Sequence, residues 1–223
     1  MIIDPYAWHP LPIATIMPLT PSVLSVRVPR PAGYTYQAGQ YVVMRVTIDG
    51  APLLRQYSFA SAPHDEMIEF LVQREPGGIV TNWFHDTARI GMEIAISQPF
   101  GRFVVENDQP PTTLIAGRVG IVPFLSMIRE QLMEAGSTKL SLLYSARGED
   151  DFCYKELLEQ TSANLFDSQR GERITPDILQ SIVDPAGRYY VCGSKRFVDS
   201  IAAELYRLGA PTEHIRRELF TLQ

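Results

Sequence analysis

Residues 113–123 read Thr-Leu-Ile-Ala-Gly-Arg-Val-Gly-Ile-Val-Pro, and the sequence pattern changes at this segment. A short apolar run leads into a turn with two glycines, Gly117 and Gly120, and then into residues with helical periodicity. The order strand, glycine turn and helix is typical of a parallel-sheet unit that binds a ligand at the carboxyl edge of the sheet. The glycine spacing departs from the G-x-G-x-x-G pattern of dinucleotide-binding folds. The segment therefore predicts this unit without identifying its ligand.

Strand and helix patterns alternate from this segment to the end of the chain. Residues 140–144 and 189–192 are predicted strands, and residues 121–135, 154–160 and 195–208 are predicted helices. Thr175-Pro176 opens a further helix with a capping hydroxyl and a proline at the first helical position. This alternation predicts an α/β domain of Rossmann-like type, with a parallel sheet covered on both faces.

The preceding half has short β-rich runs separated by turn residues. Residues 23–28, 41–48 and 69–72 are predicted strands, and residues 79–88 form the one plausible helix. This pattern predicts a small closed antiparallel β-barrel. The polar and proline-rich stretch at residues 108–111 divides the chain into predicted domains 1–108 and 109–223.

Composition excludes several classes of function. The chain has 223 residues, of which 45% are hydrophobic and 20% charged, as in ordinary globular proteins. No apolar run approaches the roughly 18–20 residues that span a bilayer, and the first residues do not resemble a secretory leader. A net charge of −5 without a basic tract argues against nucleic-acid partners. Two distant cysteines and four scattered histidines predict no metal centre and a reducing, cytoplasmic location.

Two motifs in the first half suit a phosphorylated ligand with a planar ring. Arg55-Gln56-Tyr57-Ser58 places an arginine and an aromatic ring on the same face of a strand, and arginine binds phosphate bidentately. Gly77-Gly78-Ile79-Val80-Thr81 leads from a turn into a helix whose first N–H groups can bind an anion. Each motif alone also fits ordinary structure, namely a solvated arginine or a plain turn before a helix.

A further motif in the second half, Val191-Cys192-Gly193-Ser194, ends a predicted strand at the edge where parallel sheets collect ligands. A buried core cysteine is the other interpretation of Cys192.

The motifs together, in their order, resemble the ferredoxin–NADP reductase family over essentially the whole chain. They are Arg-x-Tyr-Ser at 55–58, Gly-Gly-x-x-Thr at 77–81, Pro-Phe-Gly-x-Phe at 99–103, the glycine turn at 117–120, Cys-Gly at 192–193 and Glu-x-Phe at 218–220. The resemblance is to the short two-domain form without an iron–sulfur domain. It implies an amino-terminal flavin barrel that holds FAD and a carboxyl-terminal domain that binds NADPH or NADH.

The resemblance also implies roles for individual residues. Arg55 would hold the flavin phosphate, Tyr57 would lie against the isoalloxazine ring, and Ser58 would hydrogen-bond near flavin N5. The phosphate and adenine side of FAD would be edged by Val72, Arg74, Gly77, Gly78 and Thr81. Glu218 and Phe220 would border the flavin.

For the nicotinamide nucleotide, Gly117, Arg118, Val119, Gly120 and Pro123 match the pyrophosphate loop, and Cys192 and Gly193 match the pair beside the nicotinamide. The family's loop usually reads Gly-Gly-Thr/Ser-Gly, so Arg118 and Val119 depart from it. A side chain at the second glycine crowds the pyrophosphate, although the Arg118 guanidinium can itself bind phosphate. Ser145, Arg147, Ser168 and Arg170 resemble positions that meet a 2′-phosphate, which favours NADPH over NADH.

The implied reaction transfers hydride from NAD(P)H to the flavin and then electrons to a protein carrier, such as a ferredoxin or an oxygenase component. The catalytic residues would be Ser58, Cys192 and Glu218, which would orient rings or relay a proton. Two alternatives stay open. One is an NAD(P)H:flavin reductase that uses free flavin, and the other is a non-catalytic flavin-binding module for electron transfer or docking.

Overall fold

The computed structural model describes residues 6–105, 110–133 and 140–220. Its first half consists of short strands and one helix. The elements are β1 (His9–Pro12), β2 (Thr15–Thr20), β3 (Val23–Pro29), β4 (Tyr41–Ile48), β5 (Ala51–Ser58), β6 (Met67–Gln73), α1 (Ile79–Asp86) and β7 (Glu93–Ile96). The predicted strands and the predicted helix of this half are confirmed. β1 and β2 lack a sequence signal because both contain proline, and both lie at sheet edges, where proline is tolerated.

The strands form two antiparallel sheets, ordered β1-β7-β4-β5 and β2-β3-β6. Val26 and Phe70 of the smaller sheet share one core with Val42 and Met44 of the larger sheet. The predicted antiparallel domain is therefore confirmed. Within the described residues its strands pair as two sheets, not as one continuous ring. Alternating hydrophobicity cannot predict this feature, because it identifies inward faces and not which strand edges pair.

The second half alternates strands and helices around a parallel sheet. The elements are β8 (Thr112–Gly117), α2 (Val122–Met133), β9 (Leu140–Ala146), α3 (Lys155–Leu158), β10 (Ala163–Asp167), α4 (Pro176–Ile182), β11 (Arg188–Gly193), α5 (Lys195–Arg207) and β12 (Ile215–Leu219). The strand order is β10-β9-β8-β11-β12, and all four neighbouring pairs are parallel.

The apolar character of β8 follows from burial on both of its faces. Leu114 packs into the cluster that contains Phe124 of α2, and its neighbour Ile115 packs into the cluster that contains Val198 of α5. Every residue of β8 is buried. The prediction of a parallel sheet covered by helices on both faces is therefore confirmed.

Helix ends follow local chemistry. The Thr175 hydroxyl accepts a hydrogen bond from the Ile178 N–H before α4, and the Ser194 hydroxyl accepts one from the Phe197 N–H before α5. The predicted helix at 154–160 is only the single turn α3, which begins after Tyr154 because Tyr154 has a left-handed φ of 55°. The predicted helix at 121–135 begins after a 3-10 turn over Arg118–Ile121, and residues 134 and 135 lie outside the described residues.

The two halves share an apolar cluster. Ala60, Leu71 and Phe103 from the first half belong to the same buried cluster as Phe124 and Met127 of α2. The predicted boundary between residues 108 and 109 lies outside the described residues. Over the described ranges, no helix combines the length and the hydropathy needed to cross a membrane.

Candidate active site

The end of β5 lies at a cleft between the two halves of the chain. Arg55, Tyr57 and Ser58 line a cavity of about 340 Å³. Its other walls are the glycine turn before α1, the start of α2 and Phe220 after β12. The cleft thus brings together the Arg-x-Tyr-Ser, Gly-Gly-x-x-Thr and Glu-x-Phe motifs, which are distant in sequence.

Tyr57 provides a neutral aromatic wall beside a cation. Its ring centroid lies 6.4 Å from that of Phe70 and 6.3 Å from that of Phe84. Burial raises the pKa of Tyr57, and the charge of Arg55 offsets only part of this effect, so the phenol stays protonated. Arg55 donates to the Leu54 carbonyl at 2.7 Å and also lines the cavity. A flat apolar surface next to a guanidinium suits a planar ring that carries a phosphate.

Ser58 and Glu218 meet across the domain junction. The Ser58 hydroxyl donates to Glu218 Oε1 at 3.2 Å, although the residues are 160 positions apart. Burial raises the pKa of Glu218 to about 7, and the hydrogen bond from Ser58 offsets part of that rise. A carboxyl group with this pKa can hold or release a proton near neutral pH.

Cys192 lies beside Glu218 on the neighbouring strand and does not line the cleft. β11 and β12 pair Cys192 with Glu218, and the Cys192 side chain is fully buried. Burial, and secondarily the charge of Glu218, raises the pKa of the Cys192 thiol well above its ordinary value. A buried, protonated thiol is a poor nucleophile. The carbonyl of the adjacent Gly193 accepts a hydrogen bond from the Phe220 N–H at 3.0 Å, which holds Phe220 at the cleft.

The glycine turn before α1 forms the opposite wall. Gly77 has a φ of 75°, and a Cβ at Gly78 would lie 2.4 Å from Thr81 Oγ1. The Thr81 hydroxyl donates to the Gly78 carbonyl and accepts from the Glu75 N–H, so it braces the turn. Within the described chain, no side chain caps the first turn of α1. The helix start can therefore offer N–H groups to an anion in the cavity.

Val72 and Arg74 do not contribute side chains to this cleft. Val72 points into the core of the first domain, whereas its neighbours Leu71 and Gln73 line the cavity, as strand alternation requires. Arg74 makes a two-point ion pair with Asp86, at 2.6 and 3.2 Å.

The loop after β8 has glycines that close packing requires. A Cβ at Gly120 would lie 2.3 Å from the Cys192 carbonyl oxygen, and one at Gly117 would lie 2.8 Å from the Phe197 ring. Arg118 has a left-handed φ of 54°, a conformation that non-glycine residues seldom adopt. Val119 lines the cleft, and Pro123 is buried in the first turn of α2.

A second cavity, of about 350 Å³, lies at the carboxyl edge of the parallel sheet. Its polar side chains come from three arginines and three serines: Arg118, Arg147, Arg173, Ser145, Ser168 and Ser194. The part of the lining that the structure describes contains no carboxylate. The cavity therefore suits a ligand with concentrated negative charge.

Arg170 is turned away from this second cavity. Its guanidinium lies 3.3 Å from a carboxylate oxygen of Glu149 and 3.5 Å from one of Asp167. Sequence reasoning selected Arg170 and missed Arg173, which follows three positions later in the same segment. An inventory of all arginines between β10 and α4 would have included Arg173, but no local pattern distinguishes the two side chains.

A third cavity, of about 290 Å³, adjoins the first. It shares Arg55, Gln56, Ser58 and Phe220 with the main cleft. Glu218 lines this third cavity, and Tyr6, Tyr41, Leu54 and Leu219 form its apolar walls. Ser58 is thus reached from both cavities, and Glu218 from the third one.

The fold and the cleft define a chain of two domains with two cavities that suit phosphorylated ligands. Residues 19–105 match the model of the oxidoreductase FAD-binding domain, and residues 114–203 match that of the oxidoreductase NAD-binding domain. The chain belongs to the ferredoxin–NADP reductase family of FAD- and NAD(P)-binding flavoproteins.

Two relatives illustrate the range of this family. Flavohemoprotein B of Dictyostelium discoideum is 31% identical over 220 residues, covering 83% of this chain and 52% of that protein. The ferredoxin–NAD(P)(+) reductase component of the naphthalene 1,2-dioxygenase system of Pseudomonas putida is 28% identical over 213 residues, covering 88% of this chain and 63% of that protein. The chain spans about half the length of the flavohemoproteins that it matches.

Solved structures share the fold at lower identity. A ferredoxin NADP+ reductase from Neisseria gonorrhoeae, with bound FAD and NADP, superimposes with a TM-score of 0.85 at 19% identity, covering 95% of this chain and 98% of that one. The FAD/NAD-binding domain of nitric oxide dioxygenase from Vibrio cholerae gives 0.81 at 21% identity, covering 96% and 99%.

Proposed function

We propose that this chain is a reductase that holds FAD in the main cleft, takes electrons from NAD(P)H and passes them to a separate redox carrier protein. The observation that carries the proposal is the meeting of Ser58, Glu218 and Phe220 at the third cavity, which adjoins the main cleft between the FAD-binding and NAD-binding domains. The chemistry that FAD supplies when bound is to accept two electrons together and to release them one at a time. The chain would supply binding, orientation and a proton site.

The donor set of the cleft fits FAD. The neutral Tyr57 ring would support the flavin ring, and Arg55 would bind a phosphate. The N–H groups at Gly77, Gly78 and the start of α1 would bind the pyrophosphate. Val72 on β6 and Arg74 immediately after β6 would act through their backbone, since their side chains point elsewhere.

Ser58 and Glu218 would manage the proton that accompanies electron transfer. Ser58 Oγ would donate to the acceptor nitrogen of a bound ring or to Glu218 Oε1, and Glu218 Oε1 would hold the exchangeable proton. Cys192 would act by position under the nicotinamide site, because its thiol stays protonated.

The second cavity would bind the adenosine end of the nucleotide, with NADPH preferred over NADH. Arg147, Arg173 and Ser168 would surround the 2′-phosphate, and Arg118 would reach the pyrophosphate. An enzyme specific for NADH typically presents a carboxylate to the ribose hydroxyls. Asp167 ends β10, but its carboxylate already accepts the N–H groups of Gln169 and Arg170.

The preference can be measured as kcat/KM for both nucleotides in the wild type and in single alanine variants. Arg147→Ala and Arg173→Ala should each lower kcat/KM for NADPH by roughly 10- to 100-fold, with little change for NADH. Arg170→Ala should have a smaller effect, because Arg170 is engaged by Glu149 and Asp167. A wild-type preference for NADH would contradict the assignment.

The carrier would approach the third cavity, where Leu54 and Leu219 are exposed beside the Ser58–Glu218 pair. Reduction of a ferredoxin or of cytochrome c by the NADPH-loaded chain measures this step. Leu219→Glu should slow the reduction of the carrier while leaving the bleaching of the flavin by NADPH unchanged.

The central experiment is flavin retention. The purified protein should be yellow, and NADPH should bleach it. Arg55→Ala should weaken FAD binding by about 10- to 150-fold, which corresponds to the roughly 1.5–3 kcal/mol of a charge-assisted contact. Arg45→Ala is the matched control, because Arg45 lies on β4 with its guanidinium 4.5 Å from the Trp8 ring. Equal FAD affinity in wild type and Arg55→Ala would refute the assignment of the cleft.

The same preparation separates the alternatives. Loss of flavin on a desalting column, with turnover restored by free flavin, would favour a flavin reductase. Retained flavin that neither nucleotide bleaches would favour a non-catalytic module.

A further inference from the structure

A buried carboxylate lies at the junction of the two domains, away from the cleft. Glu69 of β6 is 1% exposed, and it accepts hydrogen bonds from four side chains. Ser25 and Arg27 belong to the same domain, with Arg27 Nε at 3.2 Å. Arg129 Nη1, at 2.6 Å, and the Tyr154 hydroxyl come from the other domain. Although burial alone would raise the pKa of Glu69, Arg129 and these hydrogen bonds lower it, so the group is ionised.

Arg129 connects this carboxylate to the segment that follows β5. The same Nη1 atom donates to the carbonyl of Ala60 at 2.7 Å, and its guanidinium lies 4.5 Å from the Tyr154 ring centroid. One helical turn earlier on α2, the Ser126 hydroxyl donates to the carbonyl of Ser61 at 2.5 Å. Ala60 and Ser61 come two and three residues after Ser58. α2 is therefore attached to the exit of the strand that carries the cleft residues.

α2 begins directly after the loop 117–121, so its position sets the position of that loop. A helix is stiff along its axis, and the contacts at Ser126 and Arg129 fix one side of it against the first domain. Because the cluster is buried and charged, its geometry has little freedom: moving one partner leaves an unpaired charge in the interior. A nonpolar interface of the same area would tolerate sliding more easily.

We propose that Glu69 is an interdomain positioning residue. Through Arg129 and Tyr154 it fixes the position of the loop 117–121 relative to the segment that follows β5. Its consequence for electron transfer rests on the proposed function, since it concerns the alignment of a nucleotide with the Ser58–Glu218 pair. The contacts of Glu69 with Arg129 and Tyr154, called the anchor below, do not depend on that function.

Calorimetry of the FAD-loaded chain tests the anchor. We expect the wild type to unfold in one transition, and Glu69→Gln and Arg129→Met to unfold in two, as the domains uncouple. Arg129→Lys retains a cation beside Glu69 and should restore a single transition. Arg207→Met is the control, because it removes an exposed ion pair within α5. Two transitions in the wild type, or one transition in Arg129→Met, would overturn the proposal.

A kinetic measurement distinguishes a positioning role of Glu69 from a role only in stabilising the contact between the two domains. At saturating NADPH, Arg129→Met should reduce bound flavin roughly 10- to 100-fold more slowly than the wild type, with FAD content and the Kd for NADP+ unchanged. A change of twofold or less would contradict the positioning role. If neither nucleotide reduces the wild type, the proposed function fails, while calorimetry still decides the anchor. Tyr154→Phe, which removes only the hydroxyl, provides a milder variant if Glu69→Gln does not fold; it should lower the transition temperature of the coupled unit.

Discussion

Glu218→Gln should change how the stability of the protein depends on pH. Burial raises the pKa of Glu218 from 4.5 to about 7. The folded state therefore binds the proton more tightly than the unfolded state does, so stability is greatest below pH 4.5 and falls as the pH rises through 7. Since each tenfold change in proton affinity is worth about 1.4 kcal/mol, the loss amounts to at most about 3 kcal/mol. Glutamine keeps the shape of the side chain and cannot ionise.

Urea unfolding between pH 5 and pH 8.5 measures this difference. At pH 5 the two proteins should have similar free energies of unfolding, and by pH 8 Glu218→Gln should be the more stable by about 2–3 kcal/mol. Ser58→Ala, which removes the hydrogen bond to the carboxylate, should raise the pKa further and shift the loss to higher pH. Glu213→Gln, at an exposed position, serves as the control. A constant difference between wild type and Glu218→Gln over this range would refute the reasoning.

Three other variants, one of which has a comparison variant, test the nucleotide side of the cleft. Arg118→Gly should raise the free energy of unfolding by about 1 kcal/mol, because glycine adopts the left-handed conformation without strain. The same variant should weaken NADP+ binding in calorimetric titration, and tighter binding would exclude Arg118 as a phosphate ligand. Gly120→Ala should lower stability by about 2 kcal/mol, because its Cβ would meet the Cys192 backbone. In Gly148→Ala the nearest obstacle is the end of the Gln169 side chain, so its Tm should change less; equal losses would contradict this account. Cys192→Ser should slow flavin reduction by NADPH with unchanged FAD content, and an unchanged rate would leave Cys192 as a core residue only.

The architecture of the protein is readable from short-range patterns. Residues 113–123 predict a strand, a glycine turn and a helix, and the structure has β8, the loop and α2 at these positions. Each strand or helix must bury one of its faces, so apolar residues recur along it with the period of that element. This recurrence is visible as period-two alternation in the first half and as alternating strand and helix patterns in the second. The Arg-x-Tyr-Ser and Gly-Gly-x-x-Thr motifs are likewise contiguous, so their chemistry is visible before folding.

Side-chain assignments that depend on distant partners were not accessible in this way. Arg170 and Arg173 lie in the same loop, but Glu149 and Asp167 hold Arg170, and Arg173 lines the cavity. The side chain of Val72 points into the core, and those of its neighbours Leu71 and Gln73 face the cleft. The pairing of β6 in its sheet decides which of the two alternating sets of side chains faces the core.

Glu218 and Glu69 show the same limit for charge. Both are ordinary glutamates in the sequence. Glu218 obtains a pKa near 7 from burial beside Ser58, 160 positions away, and Glu69 stays ionised because Arg129 and Tyr154 reach it from the other domain. Local sequence specifies secondary structure and the buried face of each element. The proton affinity and orientation of a side chain arise from the charges and dipoles that packing brings within a few ångströms, and these come from any part of the chain.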